Sequence, residues 1–257
     1  MTFAQLTYTQ ATPDNKWLFT AGQYPLDNFD GNTYLGNQQQ NFNNYLFVQN
    51  ATQTYLQTGL GAYVQFNATS TFQFAAGFEG ANNVLGQTIS GKNFNRDCCA
   101  WFGYAQWAPS FHGLGSAQYS FSYFDTPSIP TQPATRGWSV NAVQNLSDTW
   151  AVFARANGAT GFTTPIKNAY AVGVAMNNPL KRASTDQIAL AVGLSAAASP
   201  PANPPSARNE KVIEAYWTWT FFGGLLLTPS VQVILDPALN PAKNEVSVLS
   251  LRATFTF

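Results

Sequence analysis

The chain has 257 residues, of which 45% are apolar, 15% aromatic and only 9% charged. A soluble globular domain carries roughly 25% charged residues, so the composition argues against an ordinary cytoplasmic enzyme. The twelve basic and twelve acidic residues cancel, which argues against a nucleic-acid binder, because neutralising phosphates needs an excess of Lys and Arg.

With a mean hydropathy of −0.13, the polarity must come from uncharged Asn, Gln, Thr and Ser. That mixture suits a wall between an apolar and a wet solvent. A spanning helix needs about 20 consecutive apolar residues, and the longest candidates, 100–105 and 221–227, are far shorter. Strands of about 9 to 11 residues with alternating polarity suffice for a transmembrane barrel.

In chain order, period-2 alternation predicts weak strands over 2–9 and 16–24, then clear ones over 59–67 and 71–79. A weak strand over 100–108 follows, then clear ones over 117–124, 138–144, 150–157, 168–176, 187–194, 213–221, 225–235 and 249–257. The last shows the pattern best: Leu249, Leu251, Ala253, Phe255 and Phe257 fall on one face, Ser250, Arg252, Thr254 and Thr256 on the other. The expected fold is all-β, a transmembrane antiparallel β-barrel of the outer-membrane type, with about thirteen strands in this chain.

Connectors alternate in length. Those at 67–70, 110–114, 145–148 and 222–223 are short, and those at 25–56, 80–99, 125–136 and 196–208 are long. The last contains the run Ala-Ser-Pro-Pro-Ala-Asn-Pro-Pro-Ser, which reads as an exposed extended loop. Outer-membrane barrels have short periplasmic turns and long external loops, so the chain should end on the periplasmic side and begin on the outer one. Single-chain bacterial barrels have even strand numbers, and no secretory signal opens the sequence. The expectation is therefore a single barrel domain over 1–257 that lacks its N-terminal strands and signal peptide.

Most charges fall in connectors, Asp27, Lys92, Arg96, Asp97, Asp125 and Arg136 among them. Glu79, Arg155, Glu214 and Arg252 fall in strands. A lipid-facing Arg or Lys costs about 2 to 4 kcal/mol at midplane, so these four are expected to face the lumen, although Arg155 shares its parity with Phe153. Tyr63, Gln65, Gln73, Tyr104, Gln106, Gln118, Ser120, Asn141, Tyr216, Thr218 and Gln232 complete the expected wall. Amides and hydroxyls match sugar hydroxyls, and Tyr faces stack on pyranose rings. Any water-filled barrel also needs polar inward residues, but a wall so poor in charge favours a neutral solute.

The stretch Thr20-Ala-Gly-Gln-Tyr-Pro-Leu-Asp-Asn-Phe-Asp-Gly-Asn-Thr-Tyr, with Gln40-Asn-Phe-Asn-Asn, Gly59-Leu-Gly-Ala-Tyr and Ala76-Gly-Phe-Glu-Gly-Ala-Asn, resembles the carbohydrate-selective porins of the OprB type. So do Val152-Phe-Ala-Arg-Ala-Asn-Gly, Leu227-Thr-Pro-Ser-Val-Gln and Leu251-Arg-Ala-Thr-Phe-Thr-Phe. The resemblance implies a 16-stranded, often trimeric barrel in the outer membrane of a Gram-negative bacterium. It would pass mono- and oligosaccharides by diffusion, with lumenal Arg, Glu and aromatic residues selecting them. Its partners would be carbohydrate solutes, outer-membrane lipid and two further copies of the chain, and the aromatic C-terminus resembles the signal for barrel assembly.

Other features leave alternatives open. The segment 31–50, which includes Phe42 and Asn43, could fold into the pore and narrow it or lie on the surface. Cys98 and Cys99 allow a vicinal disulfide, free thiols or a bond between chains. Asp27 and Asp30 could bind calcium, though Asp-Gly-Asn also reads as a plain turn. No cofactor or metal site is expected. A lipid hydrolase would need a Ser and His pair, and the single histidine, His112, sits in a turn with nothing to orient it. A general or export barrel would share the strands but should show a plugged or strongly charged lumen.

Overall fold

The computed structural model describes residues 5–255 apart from 53–58, 82–98, 129–132, 162–165, 200–206, 222–223, 239 and 241. Cys98, Lys92, Arg96, Asp97, most of the Pro-rich run and Phe257 therefore lie outside the described residues, as does the side chain of Asp27. Fourteen strands form one sheet. They are β1 (Leu6–Ala11), β2 (Trp17–Tyr24), β3 (Gly59–Asn67), β4 (Phe72–Gly80), β5 (Cys99–Trp107), β6 (Ser110–Phe111) and β7 (Gly115–Thr126). Then come β8 (Thr135–Asn145), β9 (Trp150–Thr160), β10 (Ile166–Asn177), β11 (Gln187–Ala197), β12 (Glu210–Thr220), β13 (Leu225–Leu235) and β14 (Glu245–Phe255). The 34 residues or so between β2 and β3 hold a short helix, α1 (Tyr45–Val48), in a connector of unusual length.

Every strand pairs antiparallel with its chain neighbour, except that the two-residue β6 pairs only with β7 and β5 passes directly to β7. Each of the thirteen long strands matches an expected one. The bounds shift outward at several ends, as at β14, which starts at Glu245 rather than 249. Pairing continues past the outward apolar band: over 245–248 the polarity inverts, with Val246 and Val248 on the inward face and Glu245 and Ser247 on the outward one. β1 and β14 are the sheet's edges.

The two faces differ as the alternation requires. On β14, Leu249 is 82% exposed, Leu251 70% and Phe255 59%, which is costly against water and favourable against lipid. Outward aromatic rings collect at both ends of the strands. On the short-turn side Trp17 lies 4.4 Å from Phe66, Phe72 5.6 Å from Trp107 and Trp217 4.8 Å from Trp219. On the long-loop side Phe78 lies 5.2 Å from Trp101. Such paired girdles mark the two interfaces of a bilayer. The ion pairs Asp125–Arg136, Arg182–Asp186 and Arg208–Asp236 sit at or next to strand ends. Connector lengths alternate as expected except around β10, where the loop-side link 161–165 is shorter than the turn-side link 178–186.

Val172, midway along β10 and 53% exposed, tests this orientation. Val172→Arg should lower the stability of the barrel in lipid vesicles by about 2 to 4 kcal/mol, measured by urea titration. An unchanged midpoint would contradict a lipid-facing β10.

Candidate functional site

The inward face has two unlike halves. On β10 and β11 it carries little polarity at its middle: Ala169, Ala171 and Ala175 on β10, and Ala189 and Ala191 on β11, are all buried. These small residues leave a seat, and the connector 34–51 fills it. Tyr34, Leu35, Phe42, Leu46, Phe47 and Val48 form one apolar cluster with that wall. Phe42 lies 5.0 Å from Phe47, 5.9 Å from Phe153 and 4.8 Å from Tyr216, and Tyr34 stacks on Phe153 at 5.1 Å. Gly193 is required where the chain approaches: a Cβ there would lie 2.4 Å from Leu46 Cδ2 and 2.9 Å from Phe47 Cε1. Phe153 thus shares the inward parity of Arg155 because it packs on the connector rather than on lipid.

Around this cluster the wall holds the connector by its backbone. Arg155 donates from Nε to Asn141 Oδ1 at 2.9 Å, from Nη1 to Gln49 O at 2.9 Å and from Nη2 to Leu35 O at 2.7 Å. Glu214 accepts from the amides of Asn43 at 2.7 Å and Asn44 at 2.9 Å, at the N-terminus of α1, where Asn44 is the N-cap. Arg252 donates to Gln38 O at 2.6 Å, to Asn41 O at 2.7 Å and to Asn43 Oδ1. Asn43 Nδ2 in turn donates to Ser230 Oγ at 2.8 Å and Ser250 Oγ at 2.9 Å, and Asn44 Nδ2 to Gln232 Oε1 at 3.2 Å. Asn41 Nδ2 reaches Tyr216 Oη at 3.3 Å, and Thr218 Oγ1 reaches Gln40 O at 3.3 Å.

The other half stays open. Between residues 28–37 of the connector and strands β3 to β7 lies a hollow of ≈ 560 Å³, into which Tyr63, Gln65, Gln73, Tyr104, Gln106 and Gln118 project. Its amides are pre-ordered: Gln65 Nε2 donates to Gln73 Oε1 at 3.2 Å, Gln118 Nε2 to Gln106 Oε1 at 3.0 Å and Tyr104 Oη to Gln106 Oε1 at 2.6 Å. Phe29 meets the aromatic side of this wall, 5.0 Å from Tyr63 and 5.6 Å from Tyr104. Asp30 lies between the halves, accepting from Ser139 Oγ at 2.8 Å and Asn141 Nδ2 at 2.9 Å.

All the expected lumen residues face inward, but only six line the hollow. Asn141, Arg155, Glu214, Tyr216, Gln232 and Arg252 are engaged with the connector instead. Glu79 is wholly buried on the inward face of β4 and does not line the hollow, and Ser120 is buried on β7. The signal that could have shown the seat is the Ala and Gly composition of inward positions on β10 and β11, where a water-filled lumen would carry polar groups. Cys99 opens β5 and is disulfide-bonded, while His112 is exposed in the turn between β6 and β7. Among the described residues no cluster of His, Cys, Asp or Glu could hold a metal ion.

The sequence pattern of the family described as "Carbohydrate-selective porin, OprB family" matches residues 1–257. Porin AaxA of Chlamydia abortus is 38% identical over 257 residues, covering 99% of this chain and 57% of that protein. Porin AaxA of Chlamydia pneumoniae is 35% identical, covering 98% of this chain and 58% of that protein. The chain thus spans little more than half the length of these relatives. Among solved structures, Pseudomonas putida OprB at high pH superposes with a TM-score of 0.78 at 17% identity, over 99% of this chain and 73% of that one. Pseudomonas aeruginosa OccK5 superposes with a TM-score of 0.59 at 8% identity, over 97% of this chain and 70% of that one. These likenesses show the fold, that of an outer-membrane β-barrel wall.

Phe42 is the centre of the seat, and truncating a buried Phe costs about 3 to 5 kcal/mol. Phe42→Ala should therefore loosen the connector in the folded barrel, seen as faster proteolysis within residues 36–50 at an unchanged overall fold. Equal cleavage rates would mean that the cluster does not hold the connector.

Proposed function

This chain belongs to the OprB family of carbohydrate-selective porins, and from that premise we propose that its protein lets neutral mono- or oligosaccharides diffuse across the outer membrane through the hollow beside the connector. It is an outer-membrane porin and not an enzyme. The observation that carries the sugar reading is the wall of that hollow, where four Gln amides and two Tyr hydroxyls face the space.

Such a wall suits a sugar for a physical reason. Each Gln offers two donors and an acceptor, and each Tyr hydroxyl can do either, so a ring of hydroxyls can trade its water hydrogen bonds for wall hydrogen bonds along the path. Each exchange is nearly neutral in free energy, which keeps binding weak enough for release. The Tyr63 and Tyr104 rings, arrayed with Phe29, give the less polar faces of a pyranose a surface to slide on. A wall built for ions would instead present rings of like charge. An export barrel should be plugged or strongly charged, whereas this lumen keeps an open side lined largely by neutral groups. The full protein is proposed to act as a homotrimer, as its family resemblance implies, with outer-membrane lipid against the apolar face.

In planar bilayers, the full-length protein should show stable conductance that glucose or maltose partly blocks. Replacing Gln106 and Gln118 by Leu should weaken the block about tenfold, the value of one or two net hydrogen bonds, at similar open conductance. Current that no sugar affects would refute the carbohydrate reading.

A further inference from the structure

We infer that Arg155, Glu214 and Arg252 are positioning residues, which set the bore by holding the inserted connector and do not touch the passing solute. Lumenal charges in a porin are ordinarily read as the groups that select the solute, and the sequence invites that reading here. Their surroundings point elsewhere. Arg155 is 4% exposed and Glu214 0%, while Arg252 is half-buried with its guanidinium turned onto the Gln38 and Asn41 carbonyls. None of the three lines the hollow, and on the inward side Arg155 borders a smaller space of ≈ 210 Å³ shared with Gln38, Gln39 and Gln49 of the connector.

The partners explain what the charges do. Arg155 bonds the carbonyls of both Leu35 and Gln49, so one guanidinium clasps the two ends of the inserted segment. Its fork geometry suits two separate carbonyls, which a Lys point charge would not reproduce. Glu214 and Arg252 grip Asn43 from different strands, β12 by its backbone N–H and β14 by its side-chain oxygen. With Ser230 and Ser250 taking Asn43 Nδ2, the Asn43 amide group and backbone N–H are all bound by the wall. Arg252 also holds the carbonyls of Gln38 and Asn41, and Thr254 Oγ1 adds Gln39 O at 2.8 Å. Successive carbonyls that would otherwise need water are thereby satisfied by the barrel.

Charges suit this task better than neutral side chains. A charge-assisted hydrogen bond to a backbone group is roughly twice as strong as a neutral one, and these groups lie in a lumen where the released state would be hydrated. The connector can therefore be held firmly without leaving a bare charge in an apolar place when it swings out. The bore depends on that hold, because the same segment forms one wall of the hollow through residues 28–37. The inference requires a conducting lumen but not a particular solute.

The test uses the full-length protein in planar bilayers. Arg155→Ala, Glu214→Gln and Arg252→Ala should each raise single-channel conductance, by about twofold or more, with added open-state noise. The deciding arm is rescue: in the Arg252→Ala background, Asn43→Cys with Ser250→Cys, oxidised to a disulfide, should return conductance to the wild-type level, and reduction should raise it again. The single Asn43→Cys variant in that background should show no such redox response. A barrel that folds with wild-type conductance in all three charge variants would overturn the inference. So would a closed tether that leaves the Arg252→Ala conductance unchanged, since lost solute contacts cannot be restored by a cross-link.

Discussion

The structure depends on one constraint: a sheet with hydrocarbon on one side and water on the other must alternate its side chains with period 2. The antiparallel ladder satisfies the backbone within the wall, so the side chains alone decide which face meets which solvent. Leu249, Leu251 and Phe255 are exposed on the outward face, while Ser250, Arg252 and Thr254 from the same strand face inward onto the connector. The aromatic girdles then fix where the band ends, and the ion pairs sit at or next to strand ends.

Within the lumen, division of labour follows from side-chain size. Small inward residues on β10 and β11 accept an apolar insert, and larger amides and phenols on β3 to β7 keep the opposite side wet. The insert is a short hydrophobic core inside a barrel, built on Phe42, Phe47 and Phe153 and rimmed by hydrogen bonds from three charged side chains. Burial of apolar surface supplies its affinity, and the charged rim supplies its register. One sheet thereby carries the insert on one side and keeps an open hollow on the side of β3 to β7.

Much of the fold was legible in the sequence because period 2 has an external cause. Where the two solvents differ, as along β12 and β14, parity alone placed Glu214, Tyr216 and Arg252 inward. Where outward residues turn polar and inward ones apolar, as at Glu245 to Val248, the expected bound stopped short of the strand. Phe153 looked inconsistent with Arg155 because parity reports only inward or outward and cannot distinguish water from an inserted segment. The partition of the lumen was illegible for the same reason, since Gln106 and Gln232 read alike until the path of residues 34–51 is known. The two-sided aromatic girdles could have been read, because their rings fall at strand ends of one parity.

The central claim is that residues 34–51 are docked inside the barrel with their backbone held by its wall. Hydrogen exchange on the full-length protein in lipid tests it most directly. The account predicts strong protection of the Asn43 and Asn44 amides, which donate to the buried Glu214 carboxylate. Exchange of those two amides at the rate of an open surface loop would contradict it.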